Sequence, residues 1–260
     1  VTVETGLPAA NGDGVPGEIV IQVDNVTQEF GSRTIFRNVS VDIHAGEVFV
    51  VLGGSGCGKS TLLKQMIGLL PPTQGRISVY GHDVVNDTDA VRAKIGVMFQ
   101  SGALFGSMNL LENIMLALAV FTDLPAAARA EIARGKLAMV GLADAALRLP
   151  AEISGGMAKR AAIARALVLD PPILFLDEPS AGLDPITSAG LDKLILDLRD
   201  TLGATFVVVT HELQSILAIS DRCIMLDRDA QGMIALGKPK DLRAHSTEPV
   251  VRAFFNRETL

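Results

Sequence analysis

The stretch Gly53-Gly54-Ser55-Gly56-Cys57-Gly58-Lys59-Ser60-Thr61 constrains this chain more than any other part of it. It fits the pattern of a glycine, four residues, then Gly-Lys-Ser/Thr, which wraps a phosphate chain. Glycines let backbone N–H groups curl round an anion with no Cβ in the way. The N-terminus of a following helix adds partial positive charge. In such a loop Lys59 reaches the β- and γ-phosphates and Ser60 ligates Mg2+. The flanks agree. Val48-Phe49-Val50-Val51-Leu52 is apolar throughout, as in a strand buried on both faces. Leu62, Leu63, Met66, Ile67 and Leu70 mark the buried side of a helix from Lys59 to the Pro71-Pro72 break.

Further strands are expected at Glu18–Val23, Val39–Ile43, Gly75–Tyr80, Ile95–Phe99, Ile173–Asp177, Thr205–Thr210 and Cys223–Leu226. Helical patterns separate the later ones, which implies crossover connections and a parallel sheet. Between about Ser107 and Leu169 alanine and leucine dominate. Leu110–Phe121, Ala126–Val140 and Ser154–Leu169 read there as helices, an insertion in an α/β protein. Residues 1–17 are rich in glycine, proline and small polar residues and read as a disordered tail. Residues 238–260 read as a C-terminal tail of short helices. Its apolar end, Pro249–Phe255, either packs on its own domain or reaches a neighbouring subunit.

Composition narrows the class. Of 260 residues 48% are hydrophobic and only 20% charged, and the mean hydropathy is +0.36. Yet the longest run without Asp, Glu, Lys or Arg, from Ile95 to Leu111, is too polar and glycine-rich to span a membrane. The net charge of -6 argues against a nucleic-acid partner, which selects a basic face. Two cysteines make neither a disulfide framework nor a four-cysteine zinc site. With no signal-peptide-like start, these features point to the cytoplasm. Cys57 lies within the phosphate loop, where alkylation would block nucleotide unless it is a mere small filler; Cys223 reads as core.

Two more segments carry chemistry. Ile173-Leu174-Phe175-Leu176-Asp177-Glu178 is an apolar strand ending in two carboxylates, at the end where parallel sheets bind ligands. Asp177 there holds Mg2+ through its water shell, and Glu178 orients and polarises an attacking water. In Ile153-Ser154-Gly155-Gly156-Met157, Ser154 is an N-cap and the glycines leave bare N–H groups at a helix start.

The order of phosphate loop, Gln100, Ser-Gly-Gly helix, Asp177-Glu178, Ser180-Ala181-Gly182-Leu183-Asp184 and His211 resembles the ATP-binding subunit of an ABC transporter over about residues 18–237. The resemblance implies an α/β P-loop NTPase (RecA-like) core with an antiparallel β subdomain and an inserted α-helical subdomain at about 107–169. It implies ATP and Mg2+, with Ser60, Gln100 and Asp177 around the metal, partly through water. It also implies a head-to-tail homodimer, in which Ser154, Gly155 and Gly156 complete the partner's nucleotide site. By resemblance Gln100 senses Mg2+ and the attacking water, His211 contacts the γ-phosphate, Phe30 stacks on adenine and Asp184 crosses the dimer interface. His44, His82 and His245 read as structural.

Met157 stands where most such subunits have glutamine, and hydrolysis is expected to survive the change because the Ser154 hydroxyl and glycine amides remain. With Phe99–Phe105, Met108-Asn109, Glu112-Asn113 and Asp184–Ser188, it resembles the MlaF-like subfamily. That implies an ATPase on the cytoplasmic face of the inner membrane, driving lipid transport between membranes. Its partners would be an MlaE-like permease, an MCE-domain protein and a small STAS-domain protein. A nutrient importer subunit is the alternative. Leu104, Phe105, Met108 and Leu111 are expected to line the groove for a permease coupling helix, or else to be subdomain core.

Overall fold

The computed structural model describes residues 17–258, so the tail reading of residues 1–16 lies outside them. In chain order the elements are β1 (Ile19–Phe30), β2 (Arg33–His44), β3 (Val48–Gly53), α1 (Lys59–Met66), β4 (Gln74–Val79), β5 (His82–Asp83), α2 (Thr88–Arg92) and β6 (Ile95–Met98). There follow α3 (Leu110–Phe121), α4 (Ala126–Met139), α5 (Gly155–Ala166), β7 (Ile173–Asp177), α6 (Pro185–Leu202) and β8 (Thr205–Val209). The chain then runs through α7 (Leu213–Ile219), β9 (Arg222–Asp227), β10 (Gly232–Gly237), α8 (Pro239–His245) and α9 (Pro249–Asn256).

The strands make two sheets, an antiparallel one ordered β2-β1-β4-β5 and a larger one ordered β10-β9-β3-β8-β7-β6. In the larger sheet β9, β3, β8, β7 and β6 are mutually parallel, and β10 closes the edge antiparallel. Side chains alternate across a strand, and the core splits accordingly. Val48, Val50, Leu52, Leu174, Leu176, Phe206 and Val208 face the cluster built with α3–α7 and α9. Phe49, Val51, Phe175, Val207 and Val209 face the cluster shared with α1 and the antiparallel sheet. This double burial makes β3, β7 and β8 buried at every position and, apart from Asp177 at the end of β7 and Thr205 at the start of β8, apolar.

Helix α3 begins and ends where the periodicity expects, and a reciprocal cap fixes its start. Asn109 Oδ1 accepts from Glu112 N–H at 2.8 Å, and Asn109 N–H donates to Glu112 Oε2 at 2.9 Å. Other boundaries move. Helix α1 stops at Met66, short of the prolines, because Gly68 turns the chain at φ +70°, where a Cβ would lie 2.9 Å from Val84 O. The strands β1 and β2 form a hairpin much longer than expected, with register shifts that hide its alternation. Strand β10 escaped the sequence reading because its apolar run, Met233–Leu236, is only four residues between two glycines and forms a half-buried antiparallel edge.

The C-terminal helix α9 buries Val251 and Phe255 in the chain's own core. Of the two readings of the tail, packing on its own domain is the observed one. Cys57 and Cys223 are both buried.

Candidate active site

Strand β3 delivers the chain into the loop Gly54–Gly58, and α1 leaves it. Gly58 caps α1 at φ +104°, and a Cβ there would meet Phe36 Cδ1 at 2.6 Å and Ile35 Cγ2 at 2.7 Å. At Gly53 a Cβ would lie 2.2 Å from Leu226 O. Those two positions therefore admit glycine alone. In front of Gly54 and Gly56 the space is open, with no atom within 4 Å of a Cβ built there. Lys59 Nζ donates to Gly53 O at 2.8 Å and Gly54 O at 2.9 Å, which holds its charge at the loop mouth. An open glycine cradle with an ammonium at its mouth and a helix N-terminus behind it fits a polyphosphate. Ser55 lies exposed in the loop and Thr61 half-buried in the first turn of α1.

At the end of β7, two strands across the sheet, Asp177 and Glu178 are 8% and 7% exposed. Ser60 Oγ donates to Asp177 Oδ1 at 3.5 Å. Burial, and next the neighbouring Glu178 charge, push the Asp177 carboxyl above its ordinary range; Ser60, Lys64 and Lys59 pull it back. A hydroxyl and a desolvated carboxylate are hard oxygen donors and fit Mg2+, whose charge would relieve the repulsion.

Glu178 is held in an unusual backbone conformation, φ +48°. Its N–H donates to Val209 O at 2.8 Å, so the parallel ladder continues one residue past β7 and then turns. His211, just beyond β8, meets it: Nδ1 lies 2.8 Å from Glu178 Oε1. The other oxygen, Oε2, is buried without a hydrogen-bond partner in the protein. A buried carboxylate with one oxygen braced and one open is arranged to accept from a further donor at the site.

Gln100 follows β6 and is exposed. Its tie to the centre runs through its carbonyl, which accepts from Lys159 Nζ at 2.6 Å. Phe30 ends β1 and is 50% exposed, a free face rather than a core ring. Just past it opens a cavity of about 500 Å3, lined by Arg33, Arg37, Arg228 and Gly56 among others. The sequence reading missed these arginines. Two follow Phe30 closely enough to have been suspected; Arg228 arrives from the β9–β10 turn, which no local pattern announces.

Helix α5 begins with Ser154, whose Oγ accepts from Met157 N–H at 3.3 Å. Thus the residue that departs from the usual glutamine still contributes its backbone to the cap. Ser154 and Gly155 are exposed, whereas Gly156 sits against α6, where a Cβ would lie 2.4 Å from Thr187 Cγ2. Asp184 caps α6, accepting from Ile186 and Thr187 N–H at 3.0 Å each, and the Thr187 hydroxyl first among these bonds holds its carboxyl below the ordinary range.

The expected docking residues divide. Phe105 is 49% exposed, Leu104 and Met108 are half-buried, and Leu111 is buried at 7%. Leu111 belongs to the core because it lies in the first turn of α3, on the face that packs inward. The loop before α3 is folded around the buried Asn113. Its Oδ1 accepts from Phe105 N–H at 2.7 Å, and its Nδ2 donates to Phe105 O, Met108 O and Asn109 O.

The sequence profile of the ABC transporter family matches residues 36–181. The chain is 44% identical over 253 residues to the probable ribonucleotide transport ATP-binding protein mkl of Mycobacterium tuberculosis, covering 96% of this chain and 70% of that protein. It is 38% identical over 242 residues to the intermembrane phospholipid transport system ATP-binding protein MlaF of Escherichia coli, covering 91% and 88%. Among solved structures, cbiO1 of Clostridium perfringens, part of an ABC transporter complex, superposes with a TM-score of 0.80 at 28% identity over 87% of this chain and 91% of that one. A dimeric post-hydrolysis structure of the cassette MJ0796, bound to ADP and phosphate, superposes with a TM-score of 0.75 at 32% identity over 84% and 98%. With its glycine cradle, its carboxylate pair and these relatives, the chain belongs to the ABC transporter family, as an ATP-binding cassette with ATPase function.

Proposed function

We propose that this ATPase powers phospholipid transport between membranes, as a peripheral subunit on the cytoplasmic face of the inner membrane. The observation that carries the chemistry is Glu178, buried, braced by His211 and open at Oε2. In this reading the chain's ATPase domain is 18–237 and residues 107–169 form its moving helical subdomain. The phosphate-loop amides and Lys59 bind the triphosphate. Phe30 stacks on adenine. Ser60, Gln100 and Asp177, partly through water and Asp177 through the metal's water shell, would hold Mg2+, which neutralises phosphate charge when bound. Glu178 orients and polarises the attacking water, and His211 holds that carboxylate while facing the γ-phosphate. Ser154, Gly155 and Gly156 serve a second copy's ATP, one helix N-terminus at each end of the nucleotide. The exposure of Ser154 and Gly155 supports this.

The lipid cargo rests on the kinship with MlaF and on Met157 within the Ser-Gly-Gly segment. The permease that supplies the membrane spans would be MlaE-like, with an MCE-domain protein and a STAS-domain protein as further partners. No helix among the described residues is long and apolar enough to cross a membrane, which suits a separate spanning subunit. A second reading has its own support: the mkl relative is named for ribonucleotide transport, a polar cargo. Affinity purification from detergent-solubilised membranes, with mass spectrometry of proteins and lipids, separates the two. The lipid reading predicts co-purified permease, MCE protein and phospholipid. A permease retaining a nucleotide or another polar solute, without an MCE protein, would overturn it.

A further inference from the structure

Lys159 lies in the first half of α5, on the same helix as the Ser154-Gly155-Gly156 start, yet its ammonium points to this chain's own reaction centre. Nζ donates to Gln100 O at 2.6 Å and to Glu178 O at 3.2 Å. These carbonyls belong to Gln100, two residues past the end of β6, and to the general base. Further along α5, Arg165 donates to Ala103 O at 2.6 Å and Gly102 O at 3.1 Å. One helix thus grips the 100–103 loop at three carbonyls and the base at a fourth.

The grip falls where the backbone needs it. Glu178 and Ala103 are non-glycine residues at φ +48° and +49°, and Gly102 is at φ +72°. Such conformations persist only when their surroundings over-determine them. Hydrogen bonds from a charged donor are about twice as strong as neutral ones. The only other bond to Glu178 O among the described residues is a neutral one, from Ala181 N–H at 3.2 Å. Lys159 is also partly desolvated: burial lowers its ammonium below the ordinary value, while the Glu178 and Asp177 charges restore part of the loss.

We propose that Lys159 is a positioning residue for hydrolysis, tying the start of α5 to the backbone of Glu178 and Gln100 so that nucleotide held by α5 sets the geometry of the base in the opposite site. This rests on the dimer reading above. The start of α5 would touch the ATP of the second copy, and Lys159 follows within roughly 6 Å of helix rise. A small displacement of the helix start would then reach the Glu178 carbonyl directly.

The test uses the full chain with MgATP, measuring kcat, KM, the Hill coefficient, equilibrium MgATP affinity and Tm for Lys159→Met, Lys159→Gln and Lys159→Arg. Lys159→Met is expected to lower kcat on the order of tenfold to a hundredfold, the scale of a small misplacement of a catalytic group. MgATP affinity should stay within about twofold, since binding without chemistry is unaffected. Cooperativity in ATP should fall, and Lys159→Arg should recover most of the rate. In a Glu178→Gln background, Lys159→Met should still permit the ATP-driven dimer. Unchanged kcat and cooperativity would overturn the proposal. So would equal losses in all three variants, or a loss of rate matched by loss of affinity and Tm, either of which assigns Lys159 to packing. If Glu178→Gln alone keeps full turnover, the reading of the site falls, and this inference with it, identified by that arm.

Discussion

Asp177 illustrates what an unliganded nucleotide site costs. Its carboxyl is raised by burial and by Glu178, so the folded state binds that proton more tightly than the unfolded chain does. The stabilising effect of the proton is present at low pH and is lost as pH rises through the raised carboxyl value. Asp177→Asn should therefore raise the Tm of nucleotide-free protein at neutral pH, by roughly 2–4 °C for each kcal/mol recovered. The gap to the wild type should close as pH falls toward the carboxylate range, while the extra stabilisation by Mg2+ over ATP alone disappears. Differential scanning fluorimetry across pH reads both. The thiols make a second prediction. Burial raises Cys57 above its usual value and pushes Cys223 up to about 12, so a thiol-specific chromogenic reagent at neutral pH should react slowly with native protein and rapidly after unfolding. Fast native reaction with loss of ATP binding would return Cys57 to a reactive role. The carboxylates, lysine and glycines of the site were legible in sequence because each carries its chemistry in its own identity. The bracing of Glu178 by His211 was not, since it depends on a backbone turn at φ +48° that no residue type signals.

At the scale of elements, caps and close contacts decide what the chain tolerates. Asn109→Ala removes one partner of the reciprocal cap on α3 and should cost about 1 kcal/mol. Asn113→Ala should cost more, about 1–3 kcal/mol, because Asn113 is itself buried and its loss leaves the part-buried Phe105 N–H without its acceptor; chemical denaturation measures both. Asn113→Ala should also disorder the Phe105 loop and weaken recovery of a permease. Gly58→Ala forces a Cβ against Phe36 and Ile35 at φ +104° and should abolish ATP binding. The extent of α3 was legible because its cap and its 3.6-residue period agree. The full extent of β2 and the existence of β10 were not: beyond the expected Val39–Ile43, β2 is interrupted by register shifts, and β10 is a short half-buried edge. Lys159 and Arg165 looked like ordinary cations on an alanine-rich helix, and only the fold reveals that both point at one loop.

As a whole, the molecule is a sheet covered on one face by α1 and the antiparallel sheet and on the other by helices, and its parallel strands bring four distant motifs to one edge. That edge carries the phosphate loop, the buried Glu178 and His211 together, while the start of α5 is exposed at Ser154 and Gly155. The surplus of apolar residues noted in the composition is absorbed by two clusters, one on each face of the sheet. The C-terminal helix α9 belongs to one of them, so Phe255→Ala should lower stability by about 3–5 kcal/mol, a buried aromatic's cost. The fold class was legible because strands buried on both faces are uniformly apolar and helices separate them. The proposed second half of the nucleotide site rests on family resemblance, since a single chain cannot place a neighbour. The central claim is that Glu178 drives hydrolysis in a site shared between two copies. Its most direct test is Glu178→Gln with MgATP, followed by steady-state turnover and by size-exclusion chromatography coupled to light scattering. ATP binding intact, turnover abolished and an ATP-dependent dimer is the predicted result; wild-type turnover, or a monomer at saturating ATP, would contradict it.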